Sequence, residues 1–178
     1  MWLTICRGTV IEDTRPQVVS FHFCLPDAVF LNRIKAAGCR ITSSATTVEE
    51  ALWLEARGVD VVIAKGSEAG GHWATFLGAD PTRAVARQPS TMALVPQVVD
   101  VVKVPIAAAG GIADGRGIVA AFALGSAGAQ IVTAYLLRPE AATTQIHREA
   151  LSLARGHDPA FECLYWPART CREQPLDC

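Results

Sequence analysis

The sequence has little charge, few tyrosines and no paired-cysteine motif. Charged residues make up 19% of the 178 residues and the formal net charge is −1, which leaves no electrostatic case for binding nucleic acid or an anionic membrane. Two tyrosines, with basic residues scattered singly, give no stacking platform for single strands. Six cysteines stand at positions 6, 24, 39, 163, 171 and 178, none at C-x-x-C spacing. Zinc and thioredoxin-like readings therefore have no support, and no metal site is expected. The apolar start before Arg7 is too short for a signal peptide. The thiols are read as reduced and the compartment as cytoplasmic. One charge-free run, Ile118 to Leu137, is long enough for a membrane span. Gly125, Ser126, Gly128, Gln130 and Thr133 divide it into a helix, a turn and a strand, so no membrane segment is expected.

What the chain does have is apolar sequence in a regular rhythm. Hydrophobic residues supply 51%, enough for one domain with a substantial core. Strand-like runs occur at Gln17–Phe23, Cys39–Ser44, Asp60–Ala64, Pro105–Ala109 and Gly128–Thr133. Helical patterns lie between them. Pro26 opens one that stops at Gly38, and Thr47 to Glu50 reads as a T-x-x-E capping box for the next. A third falls between Ser90 and Val102, its regular part beginning near Val95 if Pro96 sits in the first turn. Asp114 caps a fourth, which runs through Leu124, and residues 140–154 form the last.

Strand and helix thus alternate five times, which specifies a parallel sheet with helices outside it. A full eight-unit barrel takes about 250 residues, so five units make either an open sheet or an incomplete barrel. Residues 1–16 show no clear period. Residues 17–155 carry the βα series. Residues 156–178 gather three cysteines and three prolines without period, and read as a tail that is poorly folded or foreign to the fold.

Two glycine-rich strand ends carry the chemistry. In GVDVVIAKGSEAGGH (58–72), the run Val61 to Ala64 stops in a loop where Glu68 and His72 are the titratable side chains after Lys65. Strand ends that deliver a histidine on a glycine loop are where α/β proteins place catalysis; a solvated connector with a surface histidine has the same local pattern. The second is AAGGIADGRG (108–117), a strand ending in Gly110-Gly111 with a helix at once behind it. Unpaired amides in such a turn suit phosphate, and a plain tight turn suits the same residues. The next unit repeats the theme between Gly128 and Thr133. The G-x-G-x-x-G and Walker A patterns are absent, which excludes Rossmann and P-loop readings. His22, inside the first strand, reads as a hydrogen-bonded core residue. His147 and His157 receive no role.

In this order, VVSFHF, ITSSATT, GVDVVIAKGSEAGGH, PIAAAGGIADGRG and GAQIVTAYL resemble the nitronate monooxygenases, formerly called 2-nitropropane dioxygenases. The resemblance covers about Arg15 to Ala150. It implies a partial TIM (β/α)8 barrel, with residues 17–154 as strands four to eight, and FMN as cofactor. It implies His72 as the catalytic base that takes the α-proton of a nitroalkane. A neutral imidazole suits that step because its ordinary pKa is near ~6.5. Flavin then oxidises the substrate with O2, leaving a carbonyl compound and nitrite or nitrate. By the same resemblance Lys65 and Gly70 contact the flavin, Gly110 and Gly111 form the first phosphate loop, and Gln130, Ile131, Val132 and Thr133 form the second, with Thr133 as a side-chain donor.

The chain departs from the family pattern at several of these places. Lys65 stands where the family usually has Gln, Val132 where it has Gly, Trp73-Ala74 where Arg-Gly follows the histidine, and Cys24 where Gly follows SFHF. A cation at 65 would stabilise an anionic reduced flavin or disturb the pocket. The first three strands of the family barrel, with an Asn that helps to hold FMN, have no counterpart. Two other readings accompany the oxidation of nitronates: an enoyl-reductase-like flavin enzyme using NAD(P)H, which shares EAGGH and AAGGI, and a non-catalytic remnant. The partners expected are a small nitro compound and O2, with self-association through the open barrel edge.

Overall fold

A computed structural model of the chain describes residues 9–71, 75–77 and 88–153. Five strands form one sheet: β1 (Val18–Phe21), β2 (Arg40–Ala45), β3 (Val61–Lys65), β4 (Ile106–Ala109) and β5 (Gly128–Gln130). They lie in the order β1-β2-β3-β4-β5, and each pair is parallel. Sequential order with no reversal is the winding of a barrel arc, since a doubly wound sheet changes direction at its first strand. The expected partial βα barrel is what forms.

The helices are α1 at residues 9–14, then α2 (Ala28–Ala36), α3 (Val48–Ala56), α4 (Thr91–Val99), α5 (Gly115–Ala123), α6 (Thr133–Leu136) and α7 (Gln145–Leu153). Strand pairing sorts the sheet residues into two faces, because side chains alternate along each strand. One face carries Ile41, Ala45, Val62, Ala64, Ile106 and Ala108, all in the apolar core. On that face α3 packs against β2 and β3, and α4 against β3 and β4. The core helices contribute Phe30, Leu31 and Ile34 from α2, Ala51 and Leu54 from α3, and Leu94, Val95 and Val98 from α4. The other face carries Ser44 paired with Ile63, and Lys65 paired with Ala109, which pairs in turn with Gln130.

The local chemistry departs from the sequence reading at several ends. Residues 9–14 are helical, although they show no period. Their Glu12 accepts two hydrogen bonds from Arg33 of α2, at 2.7 and 2.9 Å, so a tertiary ion pair docks a segment that lacks an apolar stripe. Pro26 does not open α2. Asp27 caps it, accepting from the Phe30 amide at 2.8 Å. Half of the capping box forms: Thr47 accepts from the Glu50 amide at 3.2 Å, but the Glu50 side chain turns away to other donors. The helix α4 begins at Thr91 under a Ser90 cap, and Pro96 lies in its interior. Burial of Leu94, Val95 and Val98 outweighs the roughly 3 kcal/mol cost of an interior proline. β5 stops at Gln130, and Thr133 starts the short α6 instead of ending the strand. The last helix starts at Gln145, not Glu140.

Glu50 has no exposed surface, yet every contact it makes is satisfied. Its Oε2 accepts from the Thr46 amide at 2.7 Å and the Thr46 hydroxyl at 2.8 Å. Its Oε1 accepts from the amides of Phe76 and Leu77 at 2.7 and 3.3 Å. A buried carboxyl group with four donors is tolerated, and this one ties the segment after β3 to the carboxyl end of β2. Cys24 is disulfide-bonded, which corrects the expectation of reduced thiols, while Cys39 is free and buried. Among the described residues, no helix is long and apolar enough to cross a membrane.

Candidate active site at the carboxyl ends of the strands

All five strands deliver residues to one end of the sheet, and a cavity of ≈ 220 Å³ opens there. Its floor is the row in which Lys65, Ala109 and Gln130 are paired across β3, β4 and β5. Neighbouring strands lie about 4.8 Å apart, so these three positions form a compact ledge. Below them Ser44 and Ile63 close the base. The rim is built from Glu68 to Gly70 after β3, Gly110 to Ala113 after β4, and Val132 to Ala134 after β5.

The two loops after β4 and β5 expose backbone donors. Within the described residues the amides of Gly111, Ile112 and Ala113 make no hydrogen bond to protein, nor do those of Ile131, Val132, Thr133 and Ala134. Amides left in this way need an outside acceptor, and an anion meets the need. The donors come from the loops and not from the first turn of α5. There Asp114 accepts from the amides of Arg116 and Gly117 at 3.0 and 3.2 Å, so the cap has taken what the helix would have offered. The amides left unpaired are therefore those of the glycine turn and not those of the helix start.

Gly110 and Gly111 are needed for their conformation. Their φ angles are +124° and +65°, where a side chain is strained. A Cβ on Gly110 would also lie 2.4 Å from the Thr91 hydroxyl. Gly70 is different: a Cβ there would have its nearest neighbour, the Thr133 hydroxyl, at 3.8 Å. Gly70 therefore stands beside Thr133 at the rim, with room left open.

Glu68 and Thr91 set the loop after β3. Glu68 Oε2 accepts from the Thr91 amide at 2.8 Å and the Thr91 hydroxyl at 2.9 Å. Burial pushes the Glu68 carboxyl up, but the hydrogen bonds from Thr91 and Ser67 outweigh it and hold the group below the usual range. The Thr91 hydroxyl also lies 3.2 Å from the Ala109 carbonyl. One side chain thus touches the ends of β3 and β4 and the start of α4. A lone threonine far along the chain carries no local signal of that role, and the sequence reading passed over it.

Lys65 is 5% exposed at the tip of β3. Burial lowers its pKa from 10.5 to about 8. Gln88 donates to its carbonyl at 2.8 Å. His22, expected in the core, is not there: β1 ends at Phe21, and His22 lies exposed at the cavity edge with Nδ1 3.2 Å from the Ser44 hydroxyl. Phe23 beside it has φ +80° and meets the His22 ring edge-on at 5.2 Å. The structure thus brings Lys65, Gly70, Gly110, Gly111, Gln130, Val132 and Thr133 to one cavity, with Ile131 in the same loop. His72 lies outside the described residues.

A single-layer arc of βα units, with unpaired amides gathered at the carboxyl ends of adjacent strands, defines a protein of the βα-barrel class. Within that class the comparisons are specific. The family model described as nitronate monooxygenase matches residues 5–174, and the chain belongs to the nitronate monooxygenase family. The match extends into the tail that the sequence reading set apart. A probable nitronate monooxygenase of Staphylococcus saprophyticus is 42% identical over 149 residues, covering 84% of this chain and 41% of that protein. One of Bacillus subtilis is 42% identical over 156 residues, covering 88% and 44%. Among solved structures, nitroalkane oxidase from Streptomyces ansochromogenes superposes with a TM-score of 0.78 at 39% identity, covering 87% of this chain and 43% of that one. FabK from Thermotoga maritima gives 0.69 at 31% identity, covering 83% and 43%. The chain spans about two fifths of the length of the curated relatives it matches.

Proposed function

We propose that this chain forms the phosphate-gripping and proton-abstracting part of an FMN-dependent oxidoreductase of the nitronate monooxygenase type, acting on nitronates and nitroalkanes with O2. The observation that supports it is the shared cavity, which two loops with unpaired amides line together with Lys65. These residues fit the phosphate end of FMN. The cavity is smaller than the roughly 300–1,000 Å³ of a complete small-molecule pocket, so it accounts for that end and not for the whole cofactor. When bound, the flavin supplies the redox step between nitronate and O2.

The chain's own residues have the remaining work. Gly111 to Ala113 and Ile131 to Ala134 donate amides to the phosphate, and Thr133 adds its hydroxyl. Gly70 keeps the rim clear. Lys65 sets a cation under negative charge, where Gln would supply a dipole only. Val132 puts a β-branched side chain into the second loop, and its side chain is half exposed at the cavity, which leaves its amide to serve. His72 takes the α-proton of the neutral nitroalkane. A cytoplasmic location and self-association through the open edge at β1, where Val18 is 52% exposed, belong to the same proposal.

Titration of the purified chain with FMN tests it. Stoichiometric binding, with a flavin spectrum that changes on binding, is expected. Protein that takes up no FMN would leave only the remnant reading. His72→Asn should keep flavin and lose activity on neutral nitroalkanes, and unchanged proton abstraction in that variant would remove the assigned role. NAD(P)H oxidation without nitronate oxidation would favour the enoyl-reductase reading.

A further inference from the structure

We propose that Thr91 is a positioning residue: its amide and hydroxyl lock the loop that leads to His72 onto the end of β4, and so keep that loop at a fixed spacing from the Gly110-Gly111 turn. The inference deepens the flavin reading and rests on it for its functional half alone.

Thr91 stands on a rigid base. It opens α4, whose Leu94, Val95 and Val98 are buried in the core, and it is itself buried. Toward the loop after β3, its amide and hydroxyl both donate to Glu68 Oε2, at 2.8 and 2.9 Å. Toward β4, its hydroxyl lies 3.2 Å from the Ala109 carbonyl, which also accepts from the Gly66 amide at 3.0 Å. The hydroxyl has one hydrogen, and the carboxylate is the stronger acceptor. Close packing does the rest, and two glycines record it. A Cβ on Gly66 would collide with the Thr91 amide and hydroxyl, and a Cβ on Gly110 would collide with the same hydroxyl. Two neighbouring strand ends are thus bare at the point where one threonine enters.

The lock also offsets a charge. Glu68 lines the cavity, and its Cβ lies 3.5 Å from where a Cβ on Gly111 would stand. A carboxylate so close to an anion site opposes binding unless its charge is met elsewhere. Thr91 meets it with two donors at the amino end of α4, where negative charge is favoured. His72 follows Glu68 by four positions, a reach of at most about 14 Å. The anchor at Glu68 therefore limits where the base can stand, and a base gains its rate from exact placement.

Thr91→Val keeps the shape and removes the hydroxyl, and Thr91→Ser keeps the hydroxyl. In the purified full chain titrated with FMN, Thr91→Val is expected to bind about tenfold more weakly, the worth of one hydrogen bond to a charged group. Thr91→Ser should stay within about twofold of the parent. At saturating FMN, Thr91→Val should lose roughly tenfold in turnover of a neutral nitroalkane, which needs the base. Turnover of a preformed nitronate, which arrives without the α-proton, should stay within about twofold. Hydrogen exchange reads the lock with no ligand present. The amides of Gly66 and Ala69, which donate to the carbonyls of Ala109 and Gly66 at 3.0 and 3.1 Å, should exchange faster in Thr91→Val but not in Thr91→Ser, with the interior of α4 unchanged. If Thr91→Val does not fold, Glu68→Ala cuts the same contact from the loop side and should give the same exchange pattern. A parent that takes up no FMN defeats the flavin reading and leaves exchange to decide the lock. Unchanged exchange at Gly66 and Ala69 overturns the lock, and equal losses on nitroalkane and nitronate overturn its positioning role.

Discussion

The middle of the sheet and its last unit are built from similar sequence but are buried very differently. Around β3, Leu54, Val62, Val95 and Val98 have no exposed surface. Around β5, Val119 is 67% exposed, Phe122 52% and Ile146 79%. The contrast follows from strand neighbours, not hydrophobicity. The helix α4 spans β3 and β4, whereas α5 packs on β5, the edge of the sheet. A βα helix needs two strands beneath it to bury its apolar stripe, and in this chain the helices after β4 lack the second. The same edge carries one of the two loops proposed to hold phosphate. The proposed site therefore lies where the sheet is least covered, which is the usual position of a site that must open to a ligand.

Truncation series would break or sharpen that contrast. Leu54→Ala removes a fully buried side chain and is expected to cost about 2–5 kcal/mol. Phe122→Ala, the same kind of truncation at the rim, should cost under about 1 kcal/mol in the isolated chain. Denaturant midpoints of the two variants check this. Equal losses would mean that the face around Phe122 is covered in solution, and light scattering would then show whether a second copy covers it.

A loss between those two is expected at Glu50. Glu50→Gln replaces one acceptor oxygen by an NH2 group that must face amides or a hydroxyl. With one donor left unsatisfied, the cost is roughly 1–3 kcal/mol. Hydrogen exchange should show the amides of Phe76 and Leu77 losing protection while α4 keeps its own. Unchanged exchange at both would mean that Glu50 does not anchor that segment.

The residues that made the fold legible are those whose signal is local. β-branched runs stopped by glycine put five strands within a residue or two of their places, and the last ran three too long. Alternation with helices gave the parallel sheet. The paired glycines at 110 and 111 marked an end that needs positive φ. What was hidden depends on long-range contacts. Glu50 looks like a capping-box residue because nothing nearby shows the amides of 76 and 77 coming to meet it. His22 reads as core until the strand is seen to stop one residue earlier. Pro96 misleads because local propensity is overruled by three buried neighbours. The ring of contacts around Thr91 joins residues up to twenty-five positions apart, from Gly66 to Thr91, and no period announces it. Lys65 was legible as an oddity, a cation at the end of an apolar strand, but its burial was not.

That burial gives the last comparison, between one charged residue and the apolar core around it. Lys65→Met removes a group whose protonated form is disfavoured by loss of water, so the variant should be more stable than the parent at neutral pH. The gain is about 1–3 kcal/mol, bounded above by the shift from 10.5 to about 8. The sign of the pH dependence follows from proton counting. Because the folded pKa is the lower one, the unfolded chain binds more protons at Lys65 between about 8 and 10.5. The parent's stability should therefore rise with pH across that window, relative to the variant. Below about pH 8 the full penalty is present and the difference is constant. Melting curves of both proteins at pH 7, 9 and 10.5 would read it. A difference that stays level across the window would mean that Lys65 keeps its proton through a partner that offsets burial.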